Sequence, residues 1–485
     1  MRTFQRFLCE NQETCARVAV RDSGKTMLCA TIGEILVSCE KLAWLCHSGE
    51  QVLQPEYRDT GRMMMMKDVK VEYVPLGVIG AIVPWNYPLH NLMNPISAAL
   101  FSGNSIVIKV SEYASWSIQY YTRMINACLD AVQAPRDLVQ FVVGYGPTGA
   151  ALVASDIDKL IFVGSPEIGA IVARAASTNL LPVVLELGGK DPFVVAEDCA
   201  IEPLIQTACR GIFQSMGQNC VCPERFFVYE SIYDKFVEQI VAVVSQMRAG
   251  ASLGDSFVDC GAICMGTNQI AKYQALVDDA VSKGARVMVG GYIPKTGPLA
   301  EGSFYPPTVL VDVPESADVA QSEVFGPLMV IFKVKGDSDA EAIRMANNCD
   351  FALSSSAFSG DETRARKIAS QLRAGMCAVN DLGGCTYMSQ TLPFGGLKKS
   401  GYDRFAGPEG LRGLCSIKSV CEDKFSFIRN AIPPPMHYPA TGVGHRFAQG
   451  LINMFYNTSL IGNLGGLLNV IYYAMPGAGK KEKSE

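Results

Sequence analysis

Histidine is scarce in this 485-residue chain, where only His47, His90, His437 and His445 occur. None of them stands in an H-E-x-x-H or related spacing, which argues against a histidine-built metal site. A general base, if the chain has one, is therefore expected to be a carboxylate. Basic runs are missing too, and the net charge is −5. That balance argues against nucleic acid as a partner. Neither Cys-x-x-Cys nor a Cys/His zinc spacing surrounds the pair Cys220/Cys222. No signal-like segment opens the chain, so its seventeen cysteines are expected to be reduced thiols in a cytoplasmic setting. What is abundant is apolar sequence, 49% against 18% charged, as in globular proteins with sizeable cores. The length allows two or three domains.

Residues 1–55 read as helices, with Ile32, Ile35, Leu36, Leu42 and Leu45 forming an apolar stripe. The run 69–74 alternates like an exposed strand. Met63 to Met66 reads as strand or packing filler. From Gly77 to about Val195 short apolar strands alternate with helices. The strands are Val78–Val83, Ser105–Val110, Val139–Val143, Lys159–Val163 and Val183–Leu187. Helices are expected at Ser115–Val132 and Gly149–Ala154. This alternation predicts an α/β fold with a doubly wound parallel sheet. A second α/β region follows Gly188, with helices at Tyr233–Met247, Gln269–Ser282 and Asp361–Leu372. Ser338 to Glu341 forms a capping box there. After Asp423 the character changes. From Phe447 to Gly479 there is no charge, and Leu460, Ile461, Leu464, Leu467, Leu468, Ile471 and Met475 recur at helical spacing. Asn457, Asn463, Gly466 and Asn469 interrupt the run, which falls short of the roughly 20 apolar residues a spanning helix needs. An amphipathic tail at a membrane surface, or one packed on protein, is expected instead.

Several short stretches carry chemistry. Gly217-Gln218-Asn219-Cys220-Val221-Cys222 joins a helical run ending near Phe213 to a strand beginning near Arg225. A cysteine on such a joint can be rigid yet reachable, and its thiolate is a nucleophile toward carbonyl carbon. Leu185-Glu186-Leu187-Gly188-Gly189-Lys190 places a carboxylate at a strand end, suited to general-base work. In Pro84-Trp85-Asn86-Tyr87-Pro88 two prolines hold Asn86, whose amide can donate to a developing oxyanion. Phe162-Val163-Gly164-Ser165 leads from a strand into an Ala-rich helix, a natural anion site. Lys109 and Glu112 end an earlier strand on the ligand-binding edge of the same sheet. Gly144-Tyr145-Gly146-Pro147-Thr148-Gly149 has the spacing of a dinucleotide fingerprint. The acidic partner expected about 20 residues later is missing, because position 164 is Gly. It is read as a loop that can approach a cofactor. Ser322-Glu323-Val324-Phe325-Gly326-Pro327 on its own is a turn.

In this order, PWN, IKxSE, GYGPTG, FVGS, ELGGK, GQNC, EVFGP and LPFGGLKKSG resemble the NAD(P)-dependent aldehyde dehydrogenase superfamily over roughly Ser23 to Val420. The runs Pro75–Gly80, Ile108–Glu112 and Gly217–Cys220, with the long tail, are most similar to its membrane-associated family 22 branch of plants and algae. The resemblance implies Cys220 as nucleophile, Glu186 as the base that activates water, and Asn86 with the Cys220 N–H as oxyanion hole. It implies Lys109 and Glu112 at the adenine-side ribose, Ser165 at the pyrophosphate and Gly146 near the cofactor. Trp85 would line the cofactor cleft, with Glu323 at the nicotinamide ribose and Phe325 by the nicotinamide. NAD is favoured over NADP, because the Glu112 carboxylate would repel a 2′-phosphate.

The implied organisation is a cofactor domain at 1–62 and 76–188 and a catalytic domain at 189–409. A small oligomerisation arm at 63–75 and 410–422 would make a homodimer or tetramer, and the tail at 423–485 could meet a membrane on the cytoplasmic face. The expected substrate is an aldehyde, oxidised to the acid through a thioester hydrolysed by Glu-activated water. Alternatives are a catalytically weak scaffold member and a CoA-acylating relative. Two departures from the family pattern stand out. Val163 replaces a frequent Thr, and family members carry several dozen more residues before the position of Met1, including early strands of the cofactor domain and, in the closest branch, an apolar segment. A short form would leave a sheet edge uncovered. Cys222 is read as a bystander.

Overall fold

The computed structural model describes residues 1–254, 257–425, 427, 431–440, 442–476 and 478. The chain forms two compact units, one of residues 1–53 and 75–416, the other of residues 54–74 and 417–485.

The first unit holds two sheets. In the six-stranded sheet, Val183–Glu186, Lys159–Val163, Val78–Val83, Ser105–Val110 and Val139–Val143 lie side by side in that order. All their pairings are parallel. Gly401–Tyr402 adds a short antiparallel edge beside Val183–Glu186. These strands are nearly continuous apolar runs because helices cover both faces of such a sheet. Along the chain, Val78–Val83 is followed by neighbours to one side, and the chain then returns to its other side with Lys159–Val163. The order therefore reverses at Val78–Val83, and ligands of open α/β sheets bind at the carboxyl ends beside such a reversal.

The second sheet has seven strands, in the order Arg286–Val289, Thr308–Val311, Leu328–Val334, Pro223–Tyr229, Asp191–Val195, Ser356–Phe358 and Ala378–Val379. It is parallel except for Arg286–Val289 at its edge. Phe193, Phe226, Phe227 and Tyr229 are buried in its core. Half of the expected capping box forms: the Ser338 hydroxyl accepts from the Glu341 N–H at 3.3 Å, while the Glu341 carboxylate accepts from Arg344 instead.

The N-terminal region is helical as expected, and it widens into a π-helical stretch at Thr31–Leu36. Within it the Tyr87 ring packs directly on Gly33, where a Cβ would come within 2.5 Å of it. The helix expected at Gly149–Ala154 runs instead over Gly146–Val153, so the glycine-rich turn opens it.

The second unit contains the three-stranded sheet Glu56–Arg58, Lys67–Pro75 and Cys415–Asp423. Met63 to Met66 is neither strand nor filler. It is a turn, with Met63, Met64 and Met65 exposed. The tail forms two helices, Gly442–Tyr456 and Leu460–Ala474. Their backbones nearly touch, since a Cβ at Gly466 would lie 2.2 Å from the Met454 nitrogen. Leu460, Ile461, Leu464 and Leu468 are exposed. Among the described residues no helix is long and apolar enough to cross a membrane. The lysine-rich end at 480–483 lies outside the described residues.

Candidate active site

The nucleophile candidate sits where the sequence places it, between the helix Ile201–Phe213 and the strand Pro223–Tyr229. The reversal between them uses three successive left-handed residues, Ser215 (φ 52°), Met216 (φ 61°) and Gly217 (φ 68°). Such backbone is costly for non-glycine residues and persists only where its surroundings enforce it. Gln218 supplies part of that enforcement, accepting from the Cys264 N–H at 3.0 Å and donating to the Ser215 carbonyl at 3.1 Å. Cys220 then emerges, partly exposed, on the wall of a cavity of about 970 Å³. Cys222 faces the other way. It is buried, and its thiol donates toward the Gly211 and Ile212 carbonyls at 3.7 and 3.6 Å.

Glu186 ends its strand on the same cavity and is buried, with one carboxyl oxygen unpartnered. Burial pushes its carboxyl up to about 8, partly offset by the neighbouring Cys220 thiol. The thiol in turn is pushed well above its ordinary value, first by desolvation and then by the Glu186 charge. Of the two glycines after Leu187, Gly189 is required by close approach to backbone, and Gly188 lies against the end of the Glu323 side chain. A Cβ on Gly188 would lie 2.0 Å from the Glu323 carboxylate, and one on Gly189 would lie 2.3 Å from the Cys220 carbonyl. The Gly189 N–H donates to Glu323 at 3.0 Å.

Asn86 lines the same cavity. Its amide donates to the Gln218 carbonyl at 3.2 Å and accepts from Asn91 at 3.2 Å. Its turn is held by residues that sequence reasoning did not single out. Buried Lys25 donates to Glu34 at 2.6 Å and to the Asn86 carbonyl at 2.6 Å. The other Glu34 oxygen accepts the Leu89 and His90 N–H groups at 3.0 and 2.8 Å, capping the helix His90–Phe101. The only sequence signal was a Lys and a Glu inside an apolar helical stretch.

Trp85 and Phe325 meet edge to face, ring centroids 5.8 Å apart, on the cavity wall. Phe325 itself has φ 52°. A second overlooked pair, Lys190–Glu224 at 2.6 Å and fully buried, fixes that loop. Glu224 accepts the Val324 and Phe325 N–H groups at 2.9 and 2.8 Å. Ser165 also borders the cavity, where its hydroxyl caps the helix Pro166–Ser177.

The structure thus brings Cys220, Glu186, Asn86, Trp85, Ser165, Glu323 and Phe325 to one cavity. Lys109, Glu112 and Gly146 are not among its lining residues. Lys109 is the penultimate residue of the strand Ser105–Val110, Glu112 follows that strand and Gly146 follows Val139–Val143; these strands continue the same carboxyl edge away from Glu186. Lys109 is paired with Glu112 at 3.3 Å. An extended ligand lying along that edge would pass Ser165, Trp85 and then this pair. The cavity has the size of a small-molecule site. It offers a nucleophile, a carboxyl able to exchange a proton near neutral pH, and an amide donor together.

The sequence profile of the Aldehyde dehydrogenase family matches residues 1–420. An aldehyde dehydrogenase-like protein of Schizosaccharomyces pombe is 40% identical over 462 residues, covering 94% of this chain and 87% of that one. The glutarate-semialdehyde dehydrogenase of Pseudomonas putida is 32% identical, covering 87% of this chain and 84% of its own. Among solved structures, that of PnpE in complex with nicotinamide adenine dinucleotide superposes with a TM-score of 0.81 at 29% identity, covering 89% of this chain and 85% of the other.

Proposed function

Since the chain belongs to the aldehyde dehydrogenase family, whose members are oxidoreductases, we propose that it oxidises an aldehyde to the carboxylic acid with NAD, using Cys220, Glu186 and Asn86. One observation carries this reading: a reachable thiol, a buried carboxyl and a fixed amide border the same cavity. The residues present also fit the dinucleotide. Ser165 at a helix N-terminus suits the pyrophosphate, Glu323 the nicotinamide ribose, and Trp85 with Phe325 the nicotinamide face. Lys109 and Glu112 suit the adenine-side ribose, and the Glu112 carboxylate disfavours a 2′-phosphate.

Bound there, the nicotinamide supplies the hydride acceptor. Cys220 adds to the carbonyl carbon as its thiol proton passes to the ionised Glu186 beside it and on to solvent, and the Asn86 amide with the Cys220 N–H holds the oxyanion. Loss of hydride leaves a thioester on Cys220. Glu186 then takes a proton from water, and the hydroxide formed releases the acid. The test is NADH formation from an alkanal without coenzyme A. Signal only with coenzyme A would replace hydrolysis by acyl transfer.

Glu186 must be ionised to act as a base. Burial raises its carboxyl to about 8, so hydrolysis-limited turnover should climb with pH and reach half-maximum near that value. Glu186→Gln should lower turnover about 10²- to 10⁴-fold, flatten the climb and leave acyl-enzyme visible by mass spectrometry. Unchanged turnover with deacylation shown to be limiting would remove Glu186 from this role.

In the second unit, the strand arm is proposed to pair with another copy. The exposed Leu460, Ile461, Leu464 and Leu468 of the tail suit the surface of a bilayer. Full-length protein should float with anionic vesicles, and a 1–423 truncation should not. Equal behaviour would dispose of the contact.

A further inference from the structure

His90 and Tyr387 border the cavity that holds Cys220 and meet there at 2.8 Å, His90 Nε2 to the Tyr387 hydroxyl. Which of the two donates follows from the bonds behind them. The Ser38 hydroxyl spends its one proton on the Glu34 carbonyl at 2.5 Å, so it accepts from His90 Nδ1 at 3.3 Å. A neutral imidazole protonated at Nδ1 has only a lone pair at Nε2. Burial, with the Lys41 and Lys25 charges nearby, pushes the imidazole down to about 3, so it stays neutral. Tyr387 is therefore the donor. Burial and the nearby Cys220 and Glu186 charges push its phenol well above its ordinary value, so the proton stays on it.

With that proton spent on His90, the Tyr387 oxygen can only accept from anything else. Among the described residues no group donates to it. Tyr387 also stands near the chemistry. It and Cys220 pack on the same small cluster of Leu353, Met376, Phe394 and Ala406. Its ring is held edge to face by His90 and Phe394, with centroids 5.3 and 4.8 Å away. Glu186, beside the Cys220 thiol, has a buried carboxyl oxygen with no partner.

A buried acceptor without a donor is costly, and two on one cavity suit a guest that carries two protons. The cavity's cations do not meet that need. Half-buried Arg404 lines it, with Nη1 held by the Gly396 and Asp403 carbonyls at 3.2 and 2.6 Å, and Arg210, Lys272 and Lys399 line it exposed. All four are donors only and cannot hold the protons of a water. Asn94 brings an unpartnered oxygen to the lining as well, but its amide carries hydrogens beside it and accommodates a guest of either polarity.

We propose that Tyr387 is a further catalytic residue: with Glu186 it holds the hydrolytic water, one proton directed to the carboxylate and the other to the phenol oxygen, so that the water's lone pair faces the acyl carbon on Cys220. His90 is the positioning residue that turns the Tyr387 proton away. The water oxygen bonds to the acyl carbon while one proton passes to Glu186 and the other stays on the new hydroxyl. The C–S bond breaks, its electron pair returns to sulfur and the Glu186 proton follows, leaving the acid and the free thiol. The proposal rests on the aldehyde-oxidation reading for the source of the thioester, but the water site can be tested without a dinucleotide.

In the experiment p-nitrophenyl acetate acetylates Cys220 directly, releasing p-nitrophenol, and mass spectrometry follows loss of the acetyl group. Tyr387→Phe keeps the ring, so its thermal midpoint and its rate of acetylation should stay near those of the wild type. Acetyl loss to water should slow about 3- to 10-fold, as for one hydrogen bond lost. Hydroxylamine, which attacks the thioester without being held, should clear the acetyl group equally fast from both proteins, a result that a misshapen cavity would not give. His90→Gln, which still accepts from Tyr387 and donates to Ser38, should match the wild type. His90→Leu frees the Tyr387 proton to turn toward the water and should slow acetyl loss as Tyr387→Phe does. Equal acetyl loss to water in wild type and Tyr387→Phe, or a loss slowed as much with hydroxylamine as with water, would overturn the proposal. Acetyl loss behaving as expected while no aldehyde yields NADH would sink the oxidation reading and leave the water site standing.

Discussion

Cys220→Ala should abolish aldehyde-dependent NADH formation, by at least about 10⁴-fold, as removal of a covalent nucleophile does. Stability should barely change. Cys220 is half-buried on a cavity wall, and the bend that presents it is enforced by Gln218 and by Gly217. Cys222→Ala is the matched control, since that thiol points into the end of the preceding helix. Its activity should stay within about threefold of wild type, because its thiol does not line the cavity; truncating this buried side chain acts on stability instead. Steady-state NADH absorbance and urea unfolding of both variants make the measurement. Equal activity in Cys220→Ala and wild type would assign the oxidation to another group. Absence of activity in the wild type with every aldehyde would favour the scaffold reading.

Removing either half of the Lys25–Glu34 pair should cost about 3–5 kcal/mol of stability, because the remaining charge is left buried and alone. Both side chains are almost wholly inaccessible, 1% and 0% exposed, so solvent cannot relieve it. The pair also holds function. Lys25 grips the Asn86 carbonyl and lies 3.8 Å from the centre of the Tyr87 ring, and Glu34 caps the next helix. Lys25→Met should therefore weaken the oxyanion donor along with the fold. The double variant Lys25→Met/Glu34→Leu should recover much of the stability, since no lone charge is left. It should not recover turnover, since nothing then grips the Asn86 turn. Urea midpoints and kcat of the three proteins test this. A double variant with wild-type kcat would show that the turn holds itself.

The strands of the six-stranded sheet were legible because each of its parallel members reads as one mostly apolar run, the inner ones largely buried and the edge strand Val139–Val143 less so. Ser105–Val110, Val139–Val143 and Lys159–Val163 begin and end where the sequence predicts. Cys220, Glu186 and Asn86 were legible because each lies next to a strand end or a proline turn, where local sequence announces a break. What holds them was not. Lys25 meets Glu34, and Lys190 meets Glu224, only through tertiary packing, and no local spacing marks a charge that will be buried. The helix Gly146–Val153 began earlier than periodicity suggested because Pro147 suits a first helical turn. Met63 to Met66 misled for the opposite reason: methionine is a usual core filler, yet here it forms an exposed turn.

The carbonyl of Gly326 stands 2.1 Å from where a Cβ on residue 217 would be. Two segments more than a hundred positions apart in the chain, one presenting the sulfur and one carrying Glu323 and Phe325, therefore touch backbone to backbone with no side chain to cushion them. They cannot be exchanged separately for those of a relative. A chimaera grafting one without the other would misplace both, and an engineer altering substrate scope should treat them as a single interchangeable cassette.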